Sequence, residues 1–492
     1  MKAISILGTS SNAGKSWMAT ALCSWLRQQG VNVAPFKSQN MSNNAYATLE
    51  GGEIGVAQAV QAEACGRRPI AEMNPILLKP SGDSRSQLVR MGSPVAHIAA
   101  KDYYQTLDKS WQTITHTLDH YWPKHCDVLV MEGAGSPVEL NLMERDIANL
   151  KPIRHVQGKW ILVADIERGG IFPQVIGTWN LLPTADQANG LGFIVNKFRG
   201  DPELFANAAP HFQRHTPLTH LGTLPLTPEL YIDDEDSLVT ADSTAHSRSN
   251  GNPTIAWIRF PRLSNSQDQL PWIPDSGIQQ QWTISPNVLQ NASAIILPGT
   301  KDTLADLQWL KEIGLAALIQ QKASSGTPII GICGGYQMLG KTISDPSGHS
   351  GTAASVNALG LLPHHTVYST TKTVTRQTAT HSGANWETYE IHMGQTSHGN
   401  TQHSPLIHIQ DSQNIPQPEG IEHNKIWGTY QHGLFDHPSQ RQRLINLIGG
   451  LSASVTISPT NWKQHRTDIY DAMGNALEQH LNLDPIKAYL NL

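Results

Sequence analysis

Two clusters of residues in this sequence could do chemistry. The first is Gly8-Thr9-Ser10-Ser11-Asn12-Ala13-Gly14-Lys15-Ser16. Glycines let a backbone turn its N–H groups toward phosphate oxygens, the lysine neutralises charge on the outer phosphates, and the hydroxyl after it faces Mg²⁺. Gly8, Thr9, Gly14, Lys15 and Ser16 are therefore candidate ATP- and phosphate-binding residues, with one residue more between the glycines than the common Gly-x4-Gly-Lys-Ser/Thr form. Glu132 is the candidate second Mg²⁺ ligand beside Ser16. It ends the apolar run Val128-Leu129-Val130-Met131 and precedes Gly133-Ala134-Gly135, where a nucleotide-binding sheet places its metal-directed acid.

The second cluster is Gly331-Ile332-Cys333-Gly334-Gly335. Small residues around a nucleophile allow the sharp strand-to-helix turn that exposes it, and the mouth of a helix favours an anionic sulfur. Such a cysteine needs an imidazole base from elsewhere. His432, in Tyr430-Gln431-His432-Gly433-Leu434-Phe435, is the candidate, and His392, in Tyr389-Glu390-Ile391-His392-Met393-Gly394, is its rival. The N–H groups of Gly334 and of Gly299, in the turn after Ala294-Ile295-Ile296-Leu297, would form the oxyanion hole.

The elements that must hold these groups are legible around them. Residues 2–7 read as a buried strand and residues 17–29 as a helix, which is the setting a phosphate loop requires. Residues 31–37, 127–132, 160–165 and 192–197 read as further strands ending in polar residues. Alternating apolar strands and helices predict a doubly wound parallel sheet with its ligands at the strands' C-terminal ends. The row of amides and hydroxyls over residues 38–44 and the polar residues 82–87 read as loops, the first of them facing a ligand. Residues 102–122 carry a long helical pattern. Residues 241–253, rich in Ser, Thr, Asn and Gly, predict a linker between a domain at 1–240 and one at 254–445, with a helical extension at 446–492.

Bulk properties exclude several classes. A chain of 492 residues is too long for one core. A formal charge of −5 gives no basic face for nucleic acid, and the four cysteines lie far apart, without the spacing of a zinc site or a disulfide framework. No apolar run reaches membrane-spanning length, and the first apolar stretch is too short for a signal peptide. A cytoplasmic protein without nucleic-acid or membrane partners is expected; its oligomeric state is left open.

The second half resembles a class I glutamine amidotransferase domain of the branch found in cobalamin-pathway amide synthases. Most class I domains carry a glutamate two residues after the histidine; Leu434 stands there, which suggests a Cys–His dyad, as in the cobalamin branch, and leaves open what fixes the tautomer of His432. The first half resembles dethiobiotin synthetase and its relatives, which share the lengthened loop and the strand-end Glu-Gly-Ala-Gly. Taken with Lys37-Ser38-Gln39-Asn40-Met41-Ser42, Asn74-Pro75-Ile76-Leu77-Leu78-Lys79-Pro80, Asp165-Ile166-Glu167-Arg168-Gly169-Gly170 and Asn196-Lys197-Phe198-Arg199-Gly200-Asp201, the chain resembles the cobyric acid synthase family from about Ile4 to Tyr489.

That resemblance implies an α/β fold, with a P-loop domain followed by a flavodoxin-like amidotransferase domain. It also implies amidation of four peripheral carboxylates of a corrinoid, adenosylcobyrinic acid a,c-diamide, by ATP and glutamine, with ammonia passing by a closed route between the domains. Lys37 would steady the transferring phosphoryl group, Asn196 would recognise the adenine, Asp146 would lie near metal or substrate, and Gln39, Asn40 and Asn43 are candidate corrinoid contacts. Two alternatives stay open. One is a cobyrinic acid a,c-diamide synthase, which Gln39-Asn40-Met41-Ser42 disfavours. The other is a regulatory P-loop ATPase with an inactive amidotransferase-like domain; the lysine such ATPases carry early in the loop is absent from Thr9-Ser10-Ser11.

Overall fold

The computed structural model describes residues 1–42, 44–80, 85–99, 102–201, 205, 207–232, 252–348, 354–398, 403–410, 415–449 and 455–492. Asn43, residues 82–84 of the second polar stretch and residues 241–251 of the expected linker lie outside them. The chain forms two compact units, Met1–Glu235 with Arg466–Leu492, and Asp236–His465.

In the first unit, strand β1 (Lys2–Gly8) leads through the glycine loop into helix α1 (Lys15–Gln28). Strand β2 (Val33–Phe36), helix α2 (Val56–Ala64) and strands β3 (Val128–Glu132), β4 (Lys159–Asp165), β5 (Gly190–Phe198) and β6 (His220–Pro225) follow. The sheet runs β6-β5-β4-β1-β3-β2, with all neighbours parallel. Ala3, Ile4, Ile6 and Leu7 are buried, as both faces of a central parallel strand must be. Registers Ile6↔Glu132 and Asp165↔Asn196 bring these polar residues to the edge where Gly8 starts its loop.

Two local expectations change in this unit. Gln39–Met41 is a short strand rather than a loop. It pairs in parallel with Ile76–Pro80 in a four-stranded sheet completed by Arg85–Arg90 and Ser93–Ala99, so residues 85–87 are strand as well. Backbone pairing and a buried amide partner for Asn40 outweigh the polar composition that had pointed to a loop. The long helical pattern of residues 102–122 is realised as a 3₁₀ turn Tyr103–Thr106, a helix Leu107–His116 and a π-helical turn Thr117–Tyr121 in unbroken succession. A helix, Trp462–His480, lies against α1 from Arg466 on: Trp25 Nε1 donates to Glu478 Oε1 at 2.9 Å, and a Cβ on Gly474 would meet the Trp25 backbone nitrogen at 3.0 Å.

The second unit carries β7 (Thr254–Ile258), β8 (Gln279–Thr283), β9 (Ala294–Leu297), α3 (Thr303–Glu312), β10 (Ile329–Ile332) and α4 (Gly334–Leu339). A long hairpin, β11 (His365–His381) and β12 (Ala384–Ser397), precedes β13 (Ile421–His423), β14 (Ile426–Thr429) and α5 (Pro438–Ile448). The main sheet runs β8-β7-β9-β10-β14-β13, parallel except for the edge strand β13. The hairpin belongs to a second sheet. Register Ile332↔Thr429 sets Cys333 and the segment leading to His432 at one edge of the main sheet. Among the described residues no helix is long and apolar enough to cross a membrane.

Candidate active sites in the two units

The phosphate loop is built on two left-handed positions, Asn12 (φ 61°) and Gly14 (φ 102°). Gly14 has no room for a side chain, because a Cβ would lie 2.0 Å from Asn196 Nδ2. Asn196 donates instead to the Ala13 carbonyl at 3.0 Å, and Lys197 Nζ reaches the Asn12 carbonyl at 2.6 Å and Asp165 Oδ2 at 3.0 Å. The ends of β4 and β5 thus brace the loop from outside. The Thr9 N–H is taken by the Val163 carbonyl, and its hydroxyl donates to Gln174 Oε1 at 3.0 Å. Lys15 runs back along Gly8, its Nζ donating to the carbonyls of Ser10 (2.9 Å) and Gly135 (3.0 Å).

Glu132 is 2 % exposed. Its Oε1 accepts from Ser16 Oγ at 2.8 Å and Lys37 Nζ at 3.0 Å, and its Oε2 accepts from Gln61 on α2. Burial alone would raise its pKa; the Lys37 ammonium, helped by Ser16 and Gln61, more than offsets that and holds the carboxyl below the usual carboxylate range. A hydroxyl and a carboxylate this close form an all-oxygen donor set, which fits Mg²⁺.

Asp146 stands beside this turn rather than in the loop. Its Oδ1 accepts from the N–H groups of Ala148 and Asn149 at 2.7 and 3.1 Å, and burial pushes its carboxyl upward. Asn149, which the sequence did not single out, clamps the segment after Glu132: its side chain bonds both the N–H (2.9 Å) and the carbonyl (2.8 Å) of Ala134. Gln39 accepts from the Tyr103 hydroxyl, and Asn40 turns inward to Gln58 Oε1 at 2.8 Å.

In the second unit Cys333 sits between β10 and α4 with φ 52° and ψ −108°, strained for a residue with a side chain. Small neighbours permit the turn: a Cβ on Gly335 would lie 1.9 Å from the Leu297 carbonyl oxygen, and one on Gly334 2.7 Å from Thr300 Cγ2. Gly299 faces the His432 ring, and its carbonyl accepts from the Ser264 N–H at 3.1 Å. Cys333 Sγ lies 3.5 Å from the Ile391 carbonyl.

His432 is the imidazole that meets the sulfur. Burial would lower its pKa, but the Asp268 carboxylate and a hydrogen bond with Cys333 overcome that and push it up to about 10. The rival, His392, has its ring nitrogens against the Gly394 carbonyl (2.8 Å) and Glu390 Oε2 (3.2 Å). A carboxylate faces the ring nitrogen whose partner the sequence left open. His432 Nδ1 lies 2.7 Å from Asp268 Oδ2, while Leu434 is fully buried among apolar residues. Residue 268 escaped the sequence reading because no pattern links it to a histidine 164 positions later.

Two family models match the chain, one in each half. Residues 4–239 match the CobQ/CobB/MinD/ParA nucleotide binding domain, and residues 254–440 match the CobB/CobQ-like glutamine amidotransferase domain. The two matched domains, with full-length relatives, define an ATP-dependent amide ligase carrying a glutamine amidotransferase domain. The chain belongs to the cobyric acid synthase family. It is 40% identical over 496 residues to the cobyric acid synthase of Synechocystis sp., covering 99% of this chain and 98% of that one. It is 39% identical to that of Nostoc punctiforme (99% of each chain) and 41% identical to that of Variovorax paradoxus (97% of each).

Proposed function

We propose that the chain converts adenosylcobyrinic acid a,c-diamide to cobyric acid by amidating four peripheral carboxylates, taking nitrogen from glutamine and energy from ATP, in the cytoplasm. The observation that carries this reading is the pairing, in one polypeptide, of a phosphate loop facing Glu132 with a cysteine elbow facing His432. In the second unit the Cys333 sulfur attacks the glutamine amide carbon. The C–N bond breaks as His432 gives its Nε2 proton to the departing ammonia. Water then attacks the thioester while His432 takes up its proton, and the C–S bond breaks to release glutamate and leave the thiolate beside the protonated imidazole. Gly299 and Gly334 would supply the oxyanion donors.

In the first unit ATP phosphorylates the corrinoid carboxylate, since phosphate is a good leaving group where water is not. Ammonia attacks the acyl carbon and phosphate departs. Lys15 and Lys37 steady the transferring phosphoryl group. Ser16 and Glu132 would hold Mg²⁺, which supplies further neutralisation of the phosphate charge. Asn196, beside the loop, would sense the adenine, and Gln39, Asn43 and Asp146 are the proposed corrinoid-side groups. The test is mass spectrometry of each corrinoid after incubation with ATP and glutamine, counting acid-to-amide conversions. Amidation of cobyrinic acid alone would overturn the substrate, and absence of any ATP-dependent product would overturn the reading as a whole.

A further inference from the structure

The segment running from Asn265 to Asp275 wraps the imidazole of His432. Asn265, itself left-handed at φ 56°, brings Nδ2 to 3.2 Å from His432 Nε2. Gln267 donates to the Tyr389 hydroxyl, and the Tyr389 ring stacks on His432 with centroids 5.0 Å apart. Asp268 sets Oδ2 against Nδ1 at 2.7 Å and accepts the Gly433 N–H on Oδ1 at 2.8 Å. Trp272 packs on Phe435 at 5.1 Å.

Behind this segment lies a fully buried ion pair. Arg441 Nε donates to Asp275 Oδ2 at 2.8 Å, and Nη1 donates to the Phe435 carbonyl at 2.8 Å. One guanidinium therefore grips both the segment that carries Asp268 and the loop that carries His432. Removing one member of such a pair is costly, so the two pieces are held in fixed relation.

We propose that Asp268 is the positioning residue of the glutaminase. Its carboxylate keeps a proton on His432 Nδ1 and so presents Nε2 to Cys333, and the Asp275–Arg441 pair locks it in place. This rests on the proposed function. A carboxylate bonded to both Nδ1–H and the next residue's N–H fixes the ring's tautomer and its rotation together, the two freedoms a general acid must lose. The groups facing the ring are Asp268, Asn265, Tyr389 and Cys333; Asp268 is the carboxylate among them.

Asp268→Asn tests it in the full chain. We expect kcat for glutamine hydrolysis to fall by about 10³-fold with KM roughly unchanged, as when an orienting carboxylate becomes an amide. Amidation driven by ammonium salts stays intact. In ¹⁵N-histidine spectra His432 should lose its proton at lower pH and occupy mixed tautomers. Retention of kcat, or its loss with an unaltered His432 titration, would overturn the proposal. If Asp268→Asn does not fold, Asp268→Glu carries the test, with the same two readouts required to move. A wild-type chain that hydrolyses no glutamine would instead refute the proposed function.

Discussion

A methyl group on Gly299 would come within 3.0 Å of His432 Cε1 and 2.9 Å of the Ser264 carbonyl oxygen. Neither neighbour can yield freely: Ser264 adjoins the Asn265–Asp275 segment, and His432 is fixed on Nδ1 by Asp268. Gly299→Ala should therefore displace the imidazole rather than unfold the unit. Glutaminase kcat is expected to fall about 10²-fold, the cost of a small misplacement of a reacting group. The ammonium-dependent rate should hold, and steady-state assays with the two nitrogen sources check both.

Cys333→Ser should separate those sources completely. Its glutamine-dependent rate is expected to drop by about 10³-fold or more, while added ammonium salts still yield product, because only ammonia formation is lost. Loss of both activities would mean that the elbow does more than make ammonia.

Lys15→Ala should abolish amidation from either source, since it strips charge from the phosphate loop. Glu132→Gln should do the same and also leave Lys37 without the carboxylate it meets at 3.0 Å. Breaking a buried pair costs about 3–5 kcal/mol, to be read as a lower urea midpoint for the first unit. Product formation from ammonia by either variant would contradict the assigned roles.

Glu419 gives a pH signature. Burial, with the charge of Glu390 adding to it, pushes its pKa from near 4.5 up to about 7, although the Thr429 hydroxyl and the Tyr430 N–H pull the other way. The folded chain thus holds this proton more tightly than the unfolded chain. Stability is full below pH 4.5 and is lost as pH rises through about 7. An amide at this position can accept the Tyr430 N–H on its oxygen and donate its NH₂ to the Thr429 hydroxyl oxygen, without the charge. Glu419→Gln should remove that limb and raise the stability of the second unit at pH 8 by an amount of the order of 3 kcal/mol. Thermal melts of both forms from pH 5 to pH 8 decide it; parallel curves would refute the assignment.

The parts that were legible in the sequence are those in which position follows from neighbours. The turn at Cys333 needs Gly331 and Gly335 in place, and the phosphate loop needs Gly14 beside Lys15, so local spacing carries both. Glu132 was readable because an apolar strand must end somewhere and ended on an acid. Asp268 was not, because what brings it to His432 is the order of strands in a sheet and a guanidinium 173 residues further along, neither of which leaves a periodic trace. Asn40 shows another limit: its polarity suggested a ligand, and no local spacing announced that its side-chain amide also meets Gln58 on a helix.

The unit begun by Met1–Glu235 is completed only by Arg466–Leu492. On a ribosome, all of Asp236–His465 emerges before Glu478 can reach the indole of Trp25. At about 5–20 residues per second the nascent nucleotide-binding unit waits on the order of 10–50 s with that face of its first helix bare. A premature stop after residue 465 would therefore spare glutamine hydrolysis and disable the half of the enzyme that was translated first.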